Sequence, residues 1–390
     1  MKLVFLTSRF PYPIEKGDKL RAYHQIRYLA QSHEVILIAL SDQPVQAADR
    51  QVLEALCEKV YLFQLPKWQS PFRLIRALFN NWPFQVAYFF RPPIRKQIKD
   101  IMEQVKPDRV ICQLLRMAPY GQAATVPAYL DYMDSFSLGM QRRAEATPAW
   151  KRWLYAWEAH KLSRYEQLIY PHFSGHSIIS EQDQQALNLP VDQPVRVLPN
   201  GVNTDFFQSQ SLESPAVDLV FVGNMGYFPN VQAAQFLCRK VLPAVQMQRP
   251  ETSLLLAGAD PAPEVRQLMH LPGVQVSGRI PDIRTAYARG SIFVAPLFAG
   301  SGQQNKILEA MSMGKAVITT SLVNRSIGAE APETICLADE ADGFVTHILR
   351  LLKEERIRKE MGSQARAWVQ AHYSWDRAYQ QMADWLEIKP

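Results

Sequence analysis

Two spacings of apolar residues alternate along this chain. Short unbroken runs, such as LVFL at 3–6, VILIAL at 35–40 and IFVA at 292–295, are followed by stretches with apolar positions three and four apart. The first spacing predicts strands and the second helices. In the first half the strands are expected over Lys2–Thr7, Glu34–Leu40, Asp108–Gln113, Ala128–Tyr132, Ser174–Ile179 and Val195–Leu198. In the second half they are expected over Asp218–Val222, Ser253–Ala257, Val274–Val276, Ser291–Ala295 and Ala316–Thr320. Helices are expected over Leu20–Gln31, Leu138–Tyr170, Ile283–Arg289, between Asp339 and Gln370, and from Trp375 onward. Strand–helix–strand alternation points to parallel α/β sheets, because parallel strands need a crossover. Pro199-Asn200-Gly201 and the polar run Gln208–Pro215 punctuate the middle of the chain. A length of 390 residues exceeds one typical core. The expected division is therefore 1–199, 200–372 and a terminal helical segment, 373–390.

The densest chemistry lies in Phe298–Thr320, FAGSGQQNKILEAMSMGKAVITT. Gly300-Ser301-Gly302 and three side-chain amides, Gln303, Gln304 and Asn305, lead into a helix. Glycines before a helix let backbone approach a ligand, and the free N–H groups there suit a phosphate. Lys306 and Glu309 are three apart and share a face, while Ile307, Leu308, Ala310 and Met311 can pack. A cation for phosphate and an acceptor for sugar hydroxyls thus come from one turn, the outline of a nucleotide-sugar site; a surface Lys–Glu pair is the bland alternative. Gly223-Asn224-Met225-Gly226 is a second glycine-flanked turn between strand and helix. In the first half, Asp131 and Asp134 stand at the exit of a strand, where carboxylates are costly without partners or work. They are candidates for acceptor binding or proton handling, with helix capping by Asp134 or Ser135 as the rival. Arg21 and His24 lie on the first turns of the first helix, His160 is read as a structural histidine, and Asn230 as a helix cap.

Charge is unevenly distributed along the chain. Residues 1–199 hold 25 Lys/Arg against 18 Asp/Glu, a net of +7, and the remainder 18 against 19, a net of −1. A basic half prefers an anionic partner. Lys67–Lys99 has seven cations, no acid and eight aromatics. That mixture suits an anionic membrane interface better than single-stranded nucleic acid; core aromatics under a solvated face are the structural alternative. With 47% hydrophobic residues and 21% charged ones, the composition is that of a soluble globular protein. No run has the length of a membrane span, and the start, MKLVFLTSRF, reads as a strand rather than a signal peptide. Cys57, Cys112, Cys238 and Cys336 lack metal-ligand spacing and suit buried thiols in a reducing cytosol.

The LEAM-x-x-G-x-x-V-x-x-T pattern around Glu309 resembles the donor segment of family 4 retaining glycosyltransferases. PNGVNTDFF at 199–207, VGNMGYFPN at 222–230 and GRIPD at 278–282 resemble further segments of that family. The variant GSG-x-x-x-K-x-LEAM resembles the branch associated with exosortase-type exopolysaccharide systems. This resemblance implies a GT-B fold: two doubly wound Rossmann-like domains facing a cleft, with a C-terminal helix crossing back to the first. It implies sugar transfer from a nucleotide-sugar to a glycan or lipid-linked acceptor, with retention, no metal or other cofactor, and a cytoplasmic or peripheral inner-membrane location. The enzyme class implied is a hexosyltransferase. Donor contacts then fall on Gly223, Asn224, Arg279, Ile280, Ser301, Gly302, Gln303, Gln304, Asn305, Lys306 and Glu309, with Glu309 on the ribose. The acceptor side falls on Gly17, Asp18, Arg21 and Asp134, and the catalytic set is Lys306, Glu309 and Asp131. Two departures stand out. Ser301 replaces a second Glu, and the Arg/Lys pair that holds the diphosphate is missing between Gly223 and Asn230, leaving Lys306 as its replacement. These keep open a GT-B protein that binds donor without transfer. A nucleotide-sugar epimerase and a membrane-surface adaptor also stay open.

Overall fold

The computed structural model describes residues 1–14, 16–66, 77, 81–145, 147–187, 189, 194–208, 216–299 and 303–388. The chain divides into two compact units, Met1–Pro199 with Tyr379–Pro390, and Asn200–Ala378.

Among the described residues, the first unit carries seven parallel strands in the order β3-β2-β1-β4-β5-β6-β7. They are β1 (Lys2–Thr7), β2 (Glu34–Ser41), β3 (Lys59–Gln64), β4 (Arg109–Gln113), β5 (Ala128–Asp131), β6 (Gly175–Ile178) and β7 (Arg196–Val197). Leu3 of β1 sits beside Val35 on one side and Arg109 on the other. The unbroken apolar runs follow from this geometry: helices cover both faces, so both side-chain sets of a central strand are buried. The sheet order reverses between β1 and β4, the position where open α/β sheets bind ligands at their carboxyl ends.

The second unit repeats the plan with six parallel strands among the described residues, in the order β10-β9-β8-β11-β12-β13. They are β8 (Val217–Val222), β9 (Leu254–Ala257), β10 (Val274–Val276), β11 (Gly290–Ala295), β12 (Ala316–Thr319) and β13 (Cys336–Leu337). Its reversal falls between β8 and β11. A separate hydrophobic core, including Phe221, Phe293, Ile307, Met311 and Phe344, fills the space between this sheet and its helices.

Several expectations need correcting. The sequence reading misses β3 and β13. The first, KVYLFQ, is an edge strand separated from the basic aromatic stretch only by Leu65-Pro66, and the second is too short for any periodicity. The expected helix Leu138–Tyr170 is two helices, Phe136–Glu145 and Ala149–Ile169. Pro148 causes the break, since its ring cannot continue a helix from the preceding turn. In the basic aromatic stretch, Lys67, Trp68, Phe72, Arg73, Arg76 and Phe79 lie outside the described residues. Of those described, Phe89 is buried and Trp82, Tyr88 and Phe90 pack against the first core, and Arg91 is buried as well. Arg95, Lys96 and Lys99 remain exposed on the Pro92–Val105 helix. Most of the expected linker, 209–215, lies outside the described residues.

The last helix, Trp375–Trp385, starts in the second unit, and the chain from Tyr379 belongs to the first. Tyr379 stacks on Tyr28 at 4.1 Å between ring centres, and Trp385 meets Tyr129 edge-on at 5.3 Å.

Candidate functional site

Where the second sheet reverses, β8, β9 and β10 end in glycines whose backbones pack together. A Cβ on Gly258 would lie 1.7 Å from the Gly223 carbonyl oxygen, and Gly258 has φ +148. The Gly258 N–H donates to the Gly278 carbonyl at 3.1 Å, and the Gly223 N–H to the Ala257 carbonyl at 3.0 Å. A side chain is excluded at Gly258, where the strand exits form a floor of bare backbone. On the other side of the reversal, Thr319 at the end of β12 and Thr320 just after it donate their hydroxyls to the Ala295 and Leu297 carbonyls at 2.8 and 2.7 Å. They fix the chain leaving β11 just ahead of the glycine loop.

The Asn305–Ser312 helix follows that loop. Ile307, Leu308, Ala310 and Met311 are buried, as amphipathic spacing requires, and Lys306 and Glu309 are half-buried on the remaining face. Lys306 Nζ donates to Asn230 Oδ1 at 2.5 Å and stands 5.4 Å from the centre of the Phe221 ring. Burial pulls its ammonium down to about 8, against an upward pull from Glu309. Gly223 makes room for this pair, since a Cβ there would lie 2.8 Å from Asn230 Nδ2 and 3.1 Å from Lys306 Nζ. Glu309 Oε2 accepts from the Tyr287 hydroxyl at 2.7 Å. Burial pushes the Glu309 carboxyl up, while the Tyr287 hydrogen bond and Lys306 hold it down. Asn305 Oδ1 is buried with no hydrogen-bond partner, the kind of orphan acceptor that a ligand can satisfy.

The remaining expected donor residues are placed as follows. Gln303 has its amide committed: its Oε1 accepts from the Asn200 N–H at 2.8 Å and its Nε2 donates to the Asn200 carbonyl at 2.9 Å. Gln304 precedes the helix, and its carbonyl accepts from the Ile307 N–H at 2.9 Å. Asn224 is exposed and closes its own turn by accepting from the Gly226 N–H at 2.9 Å. Arg279 is exposed, and Ile280 packs on the core. Ser301 and Gly302 lie outside the described residues. Asn230 is not the helix cap that the sequence suggests. It sits inside the Phe228–Phe236 helix, and its Nδ2 donates back to the Asn224 carbonyl at 2.8 Å while its Oδ1 holds Lys306. Asp282 does cap the Ile283–Arg289 helix, accepting from the Arg284 N–H at 3.0 Å. Sequence reasoning misses Tyr287, Asn230 as a lysine partner, Gly258 and Asn200. Tyr287 looks like an ordinary core position of its helix, and nothing local marks its hydroxyl.

In the first unit the carboxyl ends of β1, β4 and β5 carry the expected acceptor-side residues. Arg21 is buried and pairs side-on with Asp131, its Nε donating to Oδ2 at 2.6 Å and its Nη2 to Oδ1 at 3.2 Å. Gln25 Nε2 and the Met133 N–H also donate to Asp131, at 3.3 and 3.2 Å, and Arg21 Nη1 donates to the Leu198 carbonyl at 2.9 Å. Asp131, expected among the catalytic groups, is wholly buried with its oxygens committed. Its geometry is that of a group ordering the strand ends. Asp18 accepts from Arg9 at 2.8 Å, and Gly17 is exposed beside it with open space at its Cα. Asp134 is half-buried, and burial together with the Asp183 carboxylate raises it to about 7. His160 lies exposed on its helix rather than structurally enclosed. Among the described residues, no group of three His, Cys, Asp or Glu side chains could hold a metal ion, and no helix is long and apolar enough to cross a membrane.

Residues 216–354 match the family described as Glycosyl transferases group 1. An "Uncharacterized 44.6 kDa protein in cps region" of Klebsiella pneumoniae is 22% identical over 393 residues, covering 95% of this chain and 96% of that protein. Among solved structures, the sucrose-phosphate synthase of Thermosynechococcus elongatus superposes with a TM-score of 0.73 at 16% identity, over 98% of each chain. HepE of Anabaena, in complex with UDP and glucose, gives 0.70 at 16% identity over 99% of each. A glycosyltransferase from Rickettsia africae gives 0.68 at 13% identity, over 98% of this chain and 97% of that one. At these identities the likeness establishes the fold. The chain therefore has the GT-B fold of two parallel-sheet Rossmann-like domains, and its second unit is similar to group 1 glycosyl transferases.

Proposed function

We propose that this protein is a retaining glycosyltransferase of the family 4 kind, moving a hexosyl group from a nucleotide-sugar to an acceptor hydroxyl in exopolysaccharide or glycoconjugate assembly. One observation carries the reading. Lys306 and Glu309 rise from a single helical turn at the point where the second sheet reverses, each held by a buried partner, Asn230 and Tyr287. Glu309 accepts the ribose hydroxyls. Lys306, Asn305 and the N–H groups opening the Asn305–Ser312 helix face the diphosphate. As the bond between the anomeric carbon and the diphosphate oxygen breaks, negative charge grows on the leaving group, and a pre-placed ammonium stabilises it. The acceptor oxygen attacks from the same face, and its proton passes to the departing diphosphate. The acceptor is assigned to the first unit, near Gly17, Asp18 and Asp134. A relative from a cps region and a similar structure with UDP and glucose support a UDP-sugar as the first donor to try.

The test is a thermal-shift panel of UDP-, GDP-, ADP-, CDP- and TDP-sugars on the wild type and on Glu309→Gln. A donor at a hundred times its dissociation constant adds about 2.7 kcal/mol of stability. One base should shift the wild type, and Glu309→Gln should lose about tenfold or more in affinity, since a charge-assisted hydrogen bond is worth about 1.5–3 kcal/mol. The variant's own melting should barely move, because Gln still accepts from Tyr287 and no longer carries a buried charge. Absence of a shift for every base sinks the donor-site reading. A shift with no nucleotide released in the presence of glycan acceptors would mark a binder that does not transfer.

A further inference from the structure

The Ala149–Ile169 helix places Trp150, Trp153, Leu154 and Trp157 at spacings of three, four and seven, a single stripe on its surface. At its inner end the stripe is packed. Trp157 meets Phe84 at 5.2 Å between ring centres, and Lys161 Nζ lies 3.9 Å from the Trp157 ring centre. At its outer end the stripe stands in water. Trp150 is 70% exposed, Trp153 67% and Leu154 37%. This end is the tip of a helical hairpin, since Phe136–Glu145 runs up to it and Pro148 turns the chain.

The cations gather at the same tip. Between Asp134 and Glu158 the sequence holds Arg142, Arg143, Lys151 and Arg152 against one acid, Glu145. Lys151 Nζ stands 4.3 Å from the Trp150 ring centre, and the Arg143 guanidinium 5.1 Å from that of Tyr155. Tryptophans left in water beside a rim of basic residues mark a contact surface. Indole rings favour the boundary between lipid headgroups and acyl chains, and Lys and Arg beside them favour anionic headgroups. A second copy of this chain is a poor occupant, because the two tips would bring like charges together.

We propose that the tip of this hairpin docks on an anionic lipid bilayer, the tryptophans entering the interface and Arg143, Lys151 and Arg152 meeting the headgroups. The surface differs from the 67–99 stretch that the sequence suggests: of its described aromatics, Trp82, Tyr88, Phe89 and Phe90 are packed into or against the core, and Phe84 is covered by Trp157. It is also independent of the donor chemistry, so either reading can fail alone.

The experiment is co-sedimentation of the full chain with vesicles of phosphatidylcholine, alone or mixed with phosphatidylglycerol, at low and high salt. Wild type should prefer the anionic vesicles by about tenfold or more, and high salt should erase most of that preference. Trp150→Ser with Trp153→Ser should lose binding at either salt. Arg143→Glu with Lys151→Glu and Arg152→Glu should lose the preference for phosphatidylglycerol. Both variants should keep the wild-type melting temperature, since these side chains lie at the surface. Equal binding to both vesicles by the wild type, or undiminished binding by the tryptophan variant, overturns the proposal. So does a wild-type dimer in sedimentation velocity that the tryptophan substitutions dissociate, or tighter capture by a single-stranded oligonucleotide than by anionic vesicles.

Discussion

Lys306 is charged in a place that disfavours charge. Burial lowers its ammonium to about 8, and Glu309 opposes the fall; the Phe221 ring and Asn230 Oδ1 are its near neighbours. A bound diphosphate would restore the balance, since an anion beside an ammonium favours the protonated form. If Lys306 holds the diphosphate as proposed, the free protein should lose its binding-competent form as pH rises through about 8. Between pH 7 and pH 9 the protonated fraction falls about tenfold, and the donor dissociation constant should rise by about the same factor. Titration calorimetry across that range checks it. Lys306→Met should bind weakly at every pH and show a flat profile; a slope that survives in the variant would assign the titration to another group. Asp131 shows the opposite arrangement. A carboxylate at a strand exit looks available for chemistry, but Arg21, Gln25 and the Met133 N–H take up its oxygens. The rule that a buried charge needs a partner holds for Asp131, and the partner is structural.

At the scale of elements, the backbone floor at the exits of β8, β9 and β10 depends on glycines that are there for different reasons. Gly258 has both a steric and a conformational need, with the Gly223 carbonyl oxygen 1.7 Å from where its Cβ would be. Gly278 has φ +67 but open space around it. Gly258→Ala should therefore cost about 3 kcal/mol, through backbone displacement. Gly278→Ala should cost only about 1–2 kcal/mol, the penalty of left-handed backbone for an L-residue. Urea unfolding midpoints rank the two, and equal costs would show that the close approach relaxes freely. In sequence both are single glycines after short strands. Which of them another backbone approaches depends on the pairing of β8 with β9, and that pairing has no local sign. The break at Pro148, which the expected single helix Leu138–Tyr170 overlooks, does have a local sign, because proline acts on its own turn.

At the scale of the whole molecule, the chain returns to its first unit after building the second. Tyr379, Met382, Ala383, Trp385, Leu386 and Ile388 are all buried, and Tyr379 and Trp385 complete aromatic contacts with Tyr28 and Tyr129. Truncation after Ala378 should lower the stability of the first unit while leaving the second nearly intact. Removing this many buried side chains exceeds the roughly 2–5 kcal/mol typical of deleting one large core residue. Calorimetry should show one transition moving to lower temperature and donor-induced stabilisation retained. A single transition with unchanged midpoint would show that the segment contributes little.

Alternating apolar runs and helical spacing are enough to read two parallel α/β domains, because each element's burial pattern is written in its own few residues. The helix carrying Lys306 and Glu309 is legible for the same reason, its two groups sharing one turn. What anchors those groups is not. Tyr287 is 22 residues from Glu309, Asn230 is 76 from Lys306, and Arg21 is 110 from Asp131. Strand order brings these partners together, and local periodicity carries no record of it. The aromatics make the same point. Trp82 and Phe90 pack against the core while Trp150 and Trp153 face water, although both groups sit among cations in the sequence. Spacing shows that a helix has an apolar stripe, but whether that stripe meets a core or is left at the tip of a hairpin is settled by which other elements fold against it.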